Sequence, residues 1–393
     1  MRQLIRTLNR LNPFRQRLTP RSPWQRLLPL GLSLGLPSLV RGENHVDSRY
    51  GYYQEDNDRM KIETFAIDFE QKIVDKVIAK GELVYDGVSG ATPIGTHNWV
   101  DNGQGGNKVD AIKKSTIWDL RRAVNLSVDW QVGNHAITPG FAYSSEHDYT
   151  SYGISLNDAI DFNEKNTTLK LGVSHNFDSV RDSGRVNWHD KSSTEATVGV
   201  SQLLSPNDIL DVAATFGNDS GYLSDPYRRA EYFDPFFGFG VPIDEVRPSH
   251  RNKEILFTSL THYFDQVNAS IEANYRFYHD SYDVYSQTVG VTWHQRLGKR
   301  WIVEPFARFD YQTAASFYST LFYDPTPAFH SSDYRLSEFY STDLGLQVTY
   351  IVCEHFHVTA GFHRYEMHGL DNVTSAEMYP KANVVSAGVS FLW

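Results

Sequence analysis

The chain has 393 residues, with 37 Lys and Arg against 47 Asp and Glu for a net charge of −10, and it is 14% aromatic but only 40% hydrophobic. A single cysteine, Cys353, excludes a disulfide framework, a CxxC redox pair, a zinc ribbon and c-type haem attachment. The acidic balance argues against a nucleic-acid partner, and no apolar run reaches the ~18–20 residues of a membrane helix.

The amino terminus reads as an address. Arg2, Arg6, Arg10, Arg15, Arg17, Arg21 and Arg26 precede the apolar stretch Leu27–Val40, and residues 1–40 contain no acid. A basic segment before a short apolar one resembles a bacterial secretory signal. We therefore divide the chain into a leader, residues 1–42, and a single domain, residues 43–393. Removing residues 1–40 leaves 30 basic against 47 acidic residues, a charge of −17.

Beyond residue 45 the pattern alternates with period two, and helical periodicity is nearly absent. In Trp118–Trp130 the residues Leu120, Val124, Leu126 and Val128 alternate with Asp119, Arg121, Asn125, Ser127 and Asp129, and only Arg122 breaks the apolar face. In Ala269–Phe277 the face Ala269, Ile271, Ala273, Tyr275, Phe277 alternates with Ser270, Glu272, Asn274, Arg276. Tyr285–Trp293 and Trp301–Tyr311 follow the same rule. These runs are about twice the soluble-strand mode of ~5–6 residues. Trp118 and Trp130 close the two ends of one apolar face, about 30 Å apart vertically for a tilted strand. That separation fits two aromatic girdles around a ~25 Å apolar band.

Short polar turns are expected near residues 73–75, 133–134, 163–166, 205–208, 265–268, 297–299 and 353–355. Longer segments alternate with them, at residues 54–59, 89–116, 146–148, 179–191, 218–250, 279–282, 314–332 and 370–379. Short turns alternating with long loops define a bacterial outer-membrane barrel. The expected fold is an all-β, transmembrane, antiparallel up-and-down barrel of about 16 strands, running from near Ser48 to Trp393, with 14 or 18 as alternatives. A slip in alternation between Ile62 and Phe65 suggests a bulge. The last strand ends with Phe391 and Trp393 on one face, the expected signal for the outer-membrane insertion machinery.

Three stretches carry a resemblance: Gly51–Arg59 (GYYQEDNDR), Glu82–Pro93 (ELVYDGVSGATP), and Tyr152–Leu156 (YGISL) with Asp161–Thr168 (DFNEKNTT). They resemble an uncharacterised family of Gram-negative outer-membrane β-barrel proteins, a domain of unknown function. The resemblance implies the fold and the location, the outer membrane of a Gram-negative bacterium; it implies no functional residue.

Charge facing lipid is costly, so parity sends the strand charges into the lumen. The expected lumen-facing set is Lys80, Glu82, Asp86, Asp119, Arg121, Asp129, Lys170, Glu195, Glu272, Arg276, Glu304, Arg308 and Asp310. Mixed acids and bases suit either an ion-selective lumen or a salt-bridge network that braces the wall. The segment 218–250 concentrates Tyr222, Tyr227, Arg228, Arg229, Tyr232, Phe233, Phe236, Phe237 and Phe239. Such a loop suits a constriction or a docking surface, whereas a surface hairpin with its own aromatic cluster would look the same in sequence.

His355, His357 and His363 cluster near the last two strands, with His355 and His357 at same-face spacing for a strand. No third ligand is placed beside them, so no metal is assigned. The acidic tip Glu55–Asp58 lacks the Gly and distal Glu of a calcium-binding EF-hand loop. There, divalent cations bridged to lipopolysaccharide are the expectation. No GxSxG or HExxH occurs, so neither an enzyme nor a cofactor is expected. The expected function is a passive channel for small hydrophilic solutes or ions with a loop-narrowed lumen. The alternative is a non-catalytic scaffold or sheath docking another envelope protein: a lipoprotein, an exported chain or an electron-carrying partner. Outer-membrane lipid and lipopolysaccharide are the other expected partners, and nucleic acid is not one.

Overall fold

Period-two sequence bounded by turn residues folds into strands, and the strands close on themselves. The computed structural model describes residues 44–101, 107–182, 186–324 and 327–393. The predicted leader lies outside the described residues. The strands are β1 (His45–Glu55), β2 (Met60–Val74), β3 (Val77–Asp101), β4 (Asn107–Val132), β5 (His135–Ser145), β6 (Tyr149–Phe162), β7 (Thr167–Arg181), β8 (Trp188–Ser205) and β9 (Asp208–Gly221). A short pair follows, β10 (Arg229–Asp234) and β11 (Phe239–Asp244). The rest are β12 (His250–Phe264), β13 (Ala269–Asp280), β14 (Tyr285–Leu297), β15 (Trp301–Gln312), β16 (Phe339–Cys353), β17 (Phe356–Gly369) and β18 (Lys381–Leu392).

Among the described residues sixteen strands form one closed antiparallel barrel, with β10 and β11 as a separate two-stranded sheet between β9 and β12. β1 closes the ring against β18, from His45 opposite Leu392 to Glu55 opposite Ala382. The seven short turns fall where the sequence puts them. One of the two-residue turns is Gly133-Asn134, where Gly133 adopts φ +64°, a conformation that a side chain would strain.

The structure corrects three expectations. β2 keeps an unbroken register with β1 and β3 through Ile62–Phe65, so no bulge lies there; the register of the β2–β3 hairpin shifts at Lys72/Val74 instead. The alternation reads as slipped because Ile62 is buried inside while Lys61 and Glu63 stand outside, at the extracellular end. The segment 89–116 is not mainly loop: β3 and β4 run on as a long hairpin, with register shifts at Pro93/His97 and Asn98/Trp99. β1 begins at His45 rather than near Ser48.

The outward face is apolar at mid-height. Leu83, Leu126, Ile154, Val173, Val198, Leu256, Val289, Leu344, Phe362 and Val385 are all exposed there. In water such a band would be an aggregation surface; in hydrocarbon it is the matching solvent. Aromatic rings mark both rims. At the short-turn end Trp301 packs on Tyr350 at 4.6 Å and Phe356 on Phe391 at 4.8 Å. At the loop end Phe309, Tyr340 and His368 form a run, at 5.9 and 5.0 Å.

Two strand prolines face lipid, and each opens its ladder. Pro139 in β5 leaves β4 residues 128–129 without backbone partners across the pair, and Pro305 in β15 does the same to β14 residues 293–294. Proline has no N–H to give. In each gap an inward side-chain bond spans the strands: Thr138 donates to Asp129 at 2.8 Å, and His294 pairs with Glu304 at 2.7 Å.

The band makes a sided prediction. Val198→Arg, at mid-height facing lipid, should destabilise the folded barrel by ~2–4 kcal/mol. Thr197→Arg, its inward neighbour, should cost far less. Urea-dependent folding into lipid vesicles measures both, and equal costs would contradict the assigned parity.

Candidate functional site

The inner wall carries charge, part of it in ion pairs and part bonded to neutral donors. Lys80 bonds Asp129 at 2.6 Å and approaches Glu70 at 3.6 Å. Arg121 reaches Asp86 at 3.4 Å, and Glu82 takes the amide of Asn125 at 2.8 Å. Lys170 bonds Asp211 at 2.9 Å. Lys253, fully buried, holds Glu195 at 3.1 Å and Asp219 at 3.0 Å. Glu304 accepts from Gln347 at 2.7 Å, besides its contact with His294. Asp310 accepts from Ser286 and Thr288, and Glu272 from Ser259. Asp119 is buried and takes the amides of Leu120 and His147.

Two cations stand apart. Arg276 and Arg308 have no ion pair among the described residues. Arg276 lies 5.6 Å from the Tyr278 ring, and Arg308 is solvent-exposed although it occupies the inward parity of β15. An exposed side chain on the inner face leaves open space in the lumen at that depth.

The extracellular end is covered. The segment between β9 and β12 folds back over the mouth and meets the extended end of β3 and the segments after β5, β13 and β15. Its centre is a buried ionic cluster of three guanidinium groups and three carboxylates. Arg247 bonds Glu245 at 2.9 Å and Asp333 at 2.8 Å. Arg335 holds Asp333 and Asp225, and Arg228 lies 3.7 Å from Asp333. Arg228 also bonds Thr92 at 3.2 Å and lies 5.6 Å from the Tyr334 ring. Beside it Arg59 pairs with Glu55 at 3.1 Å and donates to the carbonyls of Met378 and Tyr379. Apolar packing backs the cluster: Ile112, Tyr334, Phe339, Met367, Met378 and Tyr379 on one side, Tyr278, Tyr282, Val284, Ala315 and Leu336 on the other. Gly95 lets three segments meet. It adopts φ +98°, and a Cβ there would stand 2.5 Å from the Arg229 carbonyl and 2.9 Å from that of Ser332.

The aromatic residues of this segment divide between two places. Tyr222 stacks on His189 at 4.7 Å, and Tyr227 bonds Asp148. Tyr232 bridges to Phe322, and Phe233 lies between Trp99 and Tyr323, at 6.2 and 5.7 Å. Arg229 pairs with Asp244 across the β10–β11 hairpin. At its tip Phe237 stacks on Phe239 and meets Phe236 edge to face, and Phe236 is 88% exposed. Behind this hairpin Glu231, fully buried, accepts from Trp99 at 2.9 Å and contacts His97 at 2.6 Å, at the edge of a cleft of about 340 Å³.

The other singled-out residues scatter. His355 lies in the β16–β17 turn, bonded to the Leu392 carbonyl, rather than on a strand face with His357. His363 holds Asp343 at 2.5 Å. In the acidic tip, Glu55 serves Arg59 and Asp56 serves Arg364 at 2.6 Å. Cys353 is exposed at the end of β16. Phe391 is exposed on the lipid face, and the Trp393 amide bonds the Asn44 carbonyl. Asp225, Glu231, Glu245, Arg247, Asp333 and Arg335 are absent from the sequence-based set. Their signal is faint: the acid-x-Arg spacings Glu245-x-Arg247 and Asp333-x-Arg335.

A closed antiparallel barrel with a lipid-facing apolar band, two aromatic rims and a charged interior is an outer-membrane β-barrel of the Gram-negative type. The chain belongs to the family described as Protein of unknown function (DUF3570), which it matches over residues 34–189 and 183–393. No curated protein matches it. Among solved structures it is similar to a bacterial polysaccharide outer membrane secretin, at 8% identity and TM-score 0.48, over 90% of this chain and 99% of that one. It is similar to CdiB from Acinetobacter baumannii at 10% identity and TM-score 0.49, over 89% and 60% of the two chains. It is also similar to OmpT, an outer membrane protein of Vibrio cholerae in its trimer form, at 8% identity and TM-score 0.46, over 89% and 98%.

The cap is acid-sensitive. Burial pushes the Asp333 carboxyl up, but Arg335, Arg228 and Arg247 outweigh it and hold it well below the usual carboxylate range. Asp225 is lowered in the same way, burial opposing and Arg335 and Arg228 prevailing. Glu245 moves the other way, raised by burial despite Arg247. A depressed carboxyl adds stability above its unfolded value of ~3.9, and the gain is lost as pH falls toward the folded value. The raised Glu245 works against this, its penalty easing as pH falls. With two depressed carboxyls against one raised, protease resistance of the cap loops should hold at neutral pH and fall below about pH 4. Asp333→Asn should already lower it at neutral pH. Resistance unchanged by acid in the parent protein would contradict the assignment.

Proposed function

We propose that the protein is a passive outer-membrane channel for small hydrophilic solutes or ions, narrowed at its extracellular mouth by the segment between β9 and β12. The observation that carries this reading is Arg308, inward by parity yet exposed to solvent. Sixteen strands give a barrel wide enough for an aqueous path, and the wall is lined by charged and hydroxyl groups. Arg276 and Arg308, with no ion pair among the described residues, add positive charge beside Asp310 and Glu195 and bias the field at that depth toward anions. The leader addresses the chain to the envelope, and the strand ending at Phe391 and Trp393 is read by the outer-membrane insertion machinery.

Single-channel recording on the purified protein tests this. Discrete steps are expected, with anion preference under a salt gradient that falls in Arg276→Ala/Arg308→Ala. Deleting residues 229–244 should raise conductance. A folded, heat-modifiable barrel that stays silent with and without that deletion would sink the channel reading.

One observation favours a second reading. Phe236, Phe237 and Phe239 stand exposed at the hairpin tip, and exposed aromatics above a covered mouth suit docking of another envelope protein. Stable co-purification of a second polypeptide, lost on replacing the three rings, would support it over the channel.

A further inference from the structure

The structure assigns a divalent-cation site, of the hard, oxygen-ligated kind that takes calcium, to Asp119, midway along β4, and Glu146 and Asp148 in the β5–β6 turn. One carboxylate oxygen from each residue lies within 4.8 Å of the others. Two oxygens bound to one calcium at ~2.4 Å can be no farther apart than twice that length, a condition that every pair of the three meets.

Proximity of acids alone would be weak evidence. The second observation is the state of Asp119. It is 3% exposed, and its Oδ2 has no hydrogen-bond partner, whereas Oδ1 takes the amides of Leu120 at 2.7 Å and of His147 at 3.3 Å. His147 sits between Glu146 and Asp148, so the bond to its amide fastens Asp119 to the turn that brings the other two ligands. An ionised oxygen buried without a partner is costly. A cation removes that cost.

The surrounding charge points the same way. Arg121 is shared: it lies 3.4 Å from Asp86 and 3.9 Å from Glu146. The acidic tip Glu55–Asp58 makes a contrast, since there Glu55 and Asp56 already have arginine partners. Asp148 also accepts the Tyr227 hydroxyl from the mouth-covering segment. A cation held here therefore stiffens the anchor by which that segment grips the wall. The assignment does not depend on the protein conducting.

The test uses the full chain refolded without lipopolysaccharide in zwitterionic detergent and stripped with chelator. Calcium chloride titrated calorimetrically should bind in the range of extracellular modules, about 10⁻⁴–10⁻³ M. Asp119→Asn and Glu146→Gln should each weaken binding by at least ~tenfold, while Glu354→Gln, in the exposed β16–β17 turn, leaves it within ~twofold. In chelator Asp119→Asn should melt at or above the parent temperature, because repulsion is relieved, yet lose the calcium-induced rise. Heat-modifiability verifies folding, and Glu146→Gln stands in if Asp119→Asn does not fold. Absence of calcium binding by the parent, or equal binding by the parent and a folded ligand variant, would overturn the site.

Discussion

Hydrocarbon offers no hydrogen bonds, so every backbone N–H and C=O that crosses it must be met by the protein itself. The rest of this structure follows from that demand. A sheet with a free edge would fail it; the pairing of β1 with β18 removes the edge. Closure in turn fixes parity. Each strand sends alternate residues to lipid and to the lumen, and the sequence can keep its charges only by giving them to the lumen. The two ladder gaps at Pro139 and Pro305 show the demand at single-residue scale. Proline withdraws a donor on the lipid side, and Thr138–Asp129 and His294–Glu304 span the same gaps on the inner side.

Above the membrane the demand lapses, and a different economy governs. The loops are free of parity, and they bury charge among themselves. Three arginines and three acids form the cluster that covers the mouth, with no net charge to disperse. Breaking such a buried pair from one side costs about 3–5 kcal/mol, because the survivor is left uncompensated. That makes the cluster an all-or-none fastening: it holds with every partner in place and loosens when one is neutralised. It ties loops from around the ring, so whatever opens it opens the mouth as a whole.

Much of the barrel was legible because its cause is local. Seven turns and the inward parity of Asp119, Arg121 and Asp129 can be read from a dozen residues at a time. The slip near Ile62 shows where local reading fails. The rule that apolar residues face out holds only at lipid depth, and Lys61 and Glu63 lie beyond it. The hairpin extending β3 and β4 was missed for the same reason: outside the membrane its residues no longer alternate, yet they still pair. The cap was least legible. Asp225 and Arg335 are 110 residues apart, as the separation of their bond records, and no local pattern links them. Asp119 sits between the two cases. Parity placed it inside, but only the folded turn at Glu146–Asp148 shows what it faces.

The central claim is that adjacent residues of one strand meet two different solvents. Paired cysteines at positions 308 and 309, introduced singly into a Cys353→Ser background and reconstituted in vesicles, test it most directly. The account predicts that the residue at 308 reacts with a charged, membrane-impermeant thiol reagent while the residue at 309 does not. A bimane probe at 309 is then quenched by lipid-borne spin label and one at 308 is not. Reaction at both positions, or the reverse order, would contradict the lipid-outside, water-inside barrel on which everything above depends.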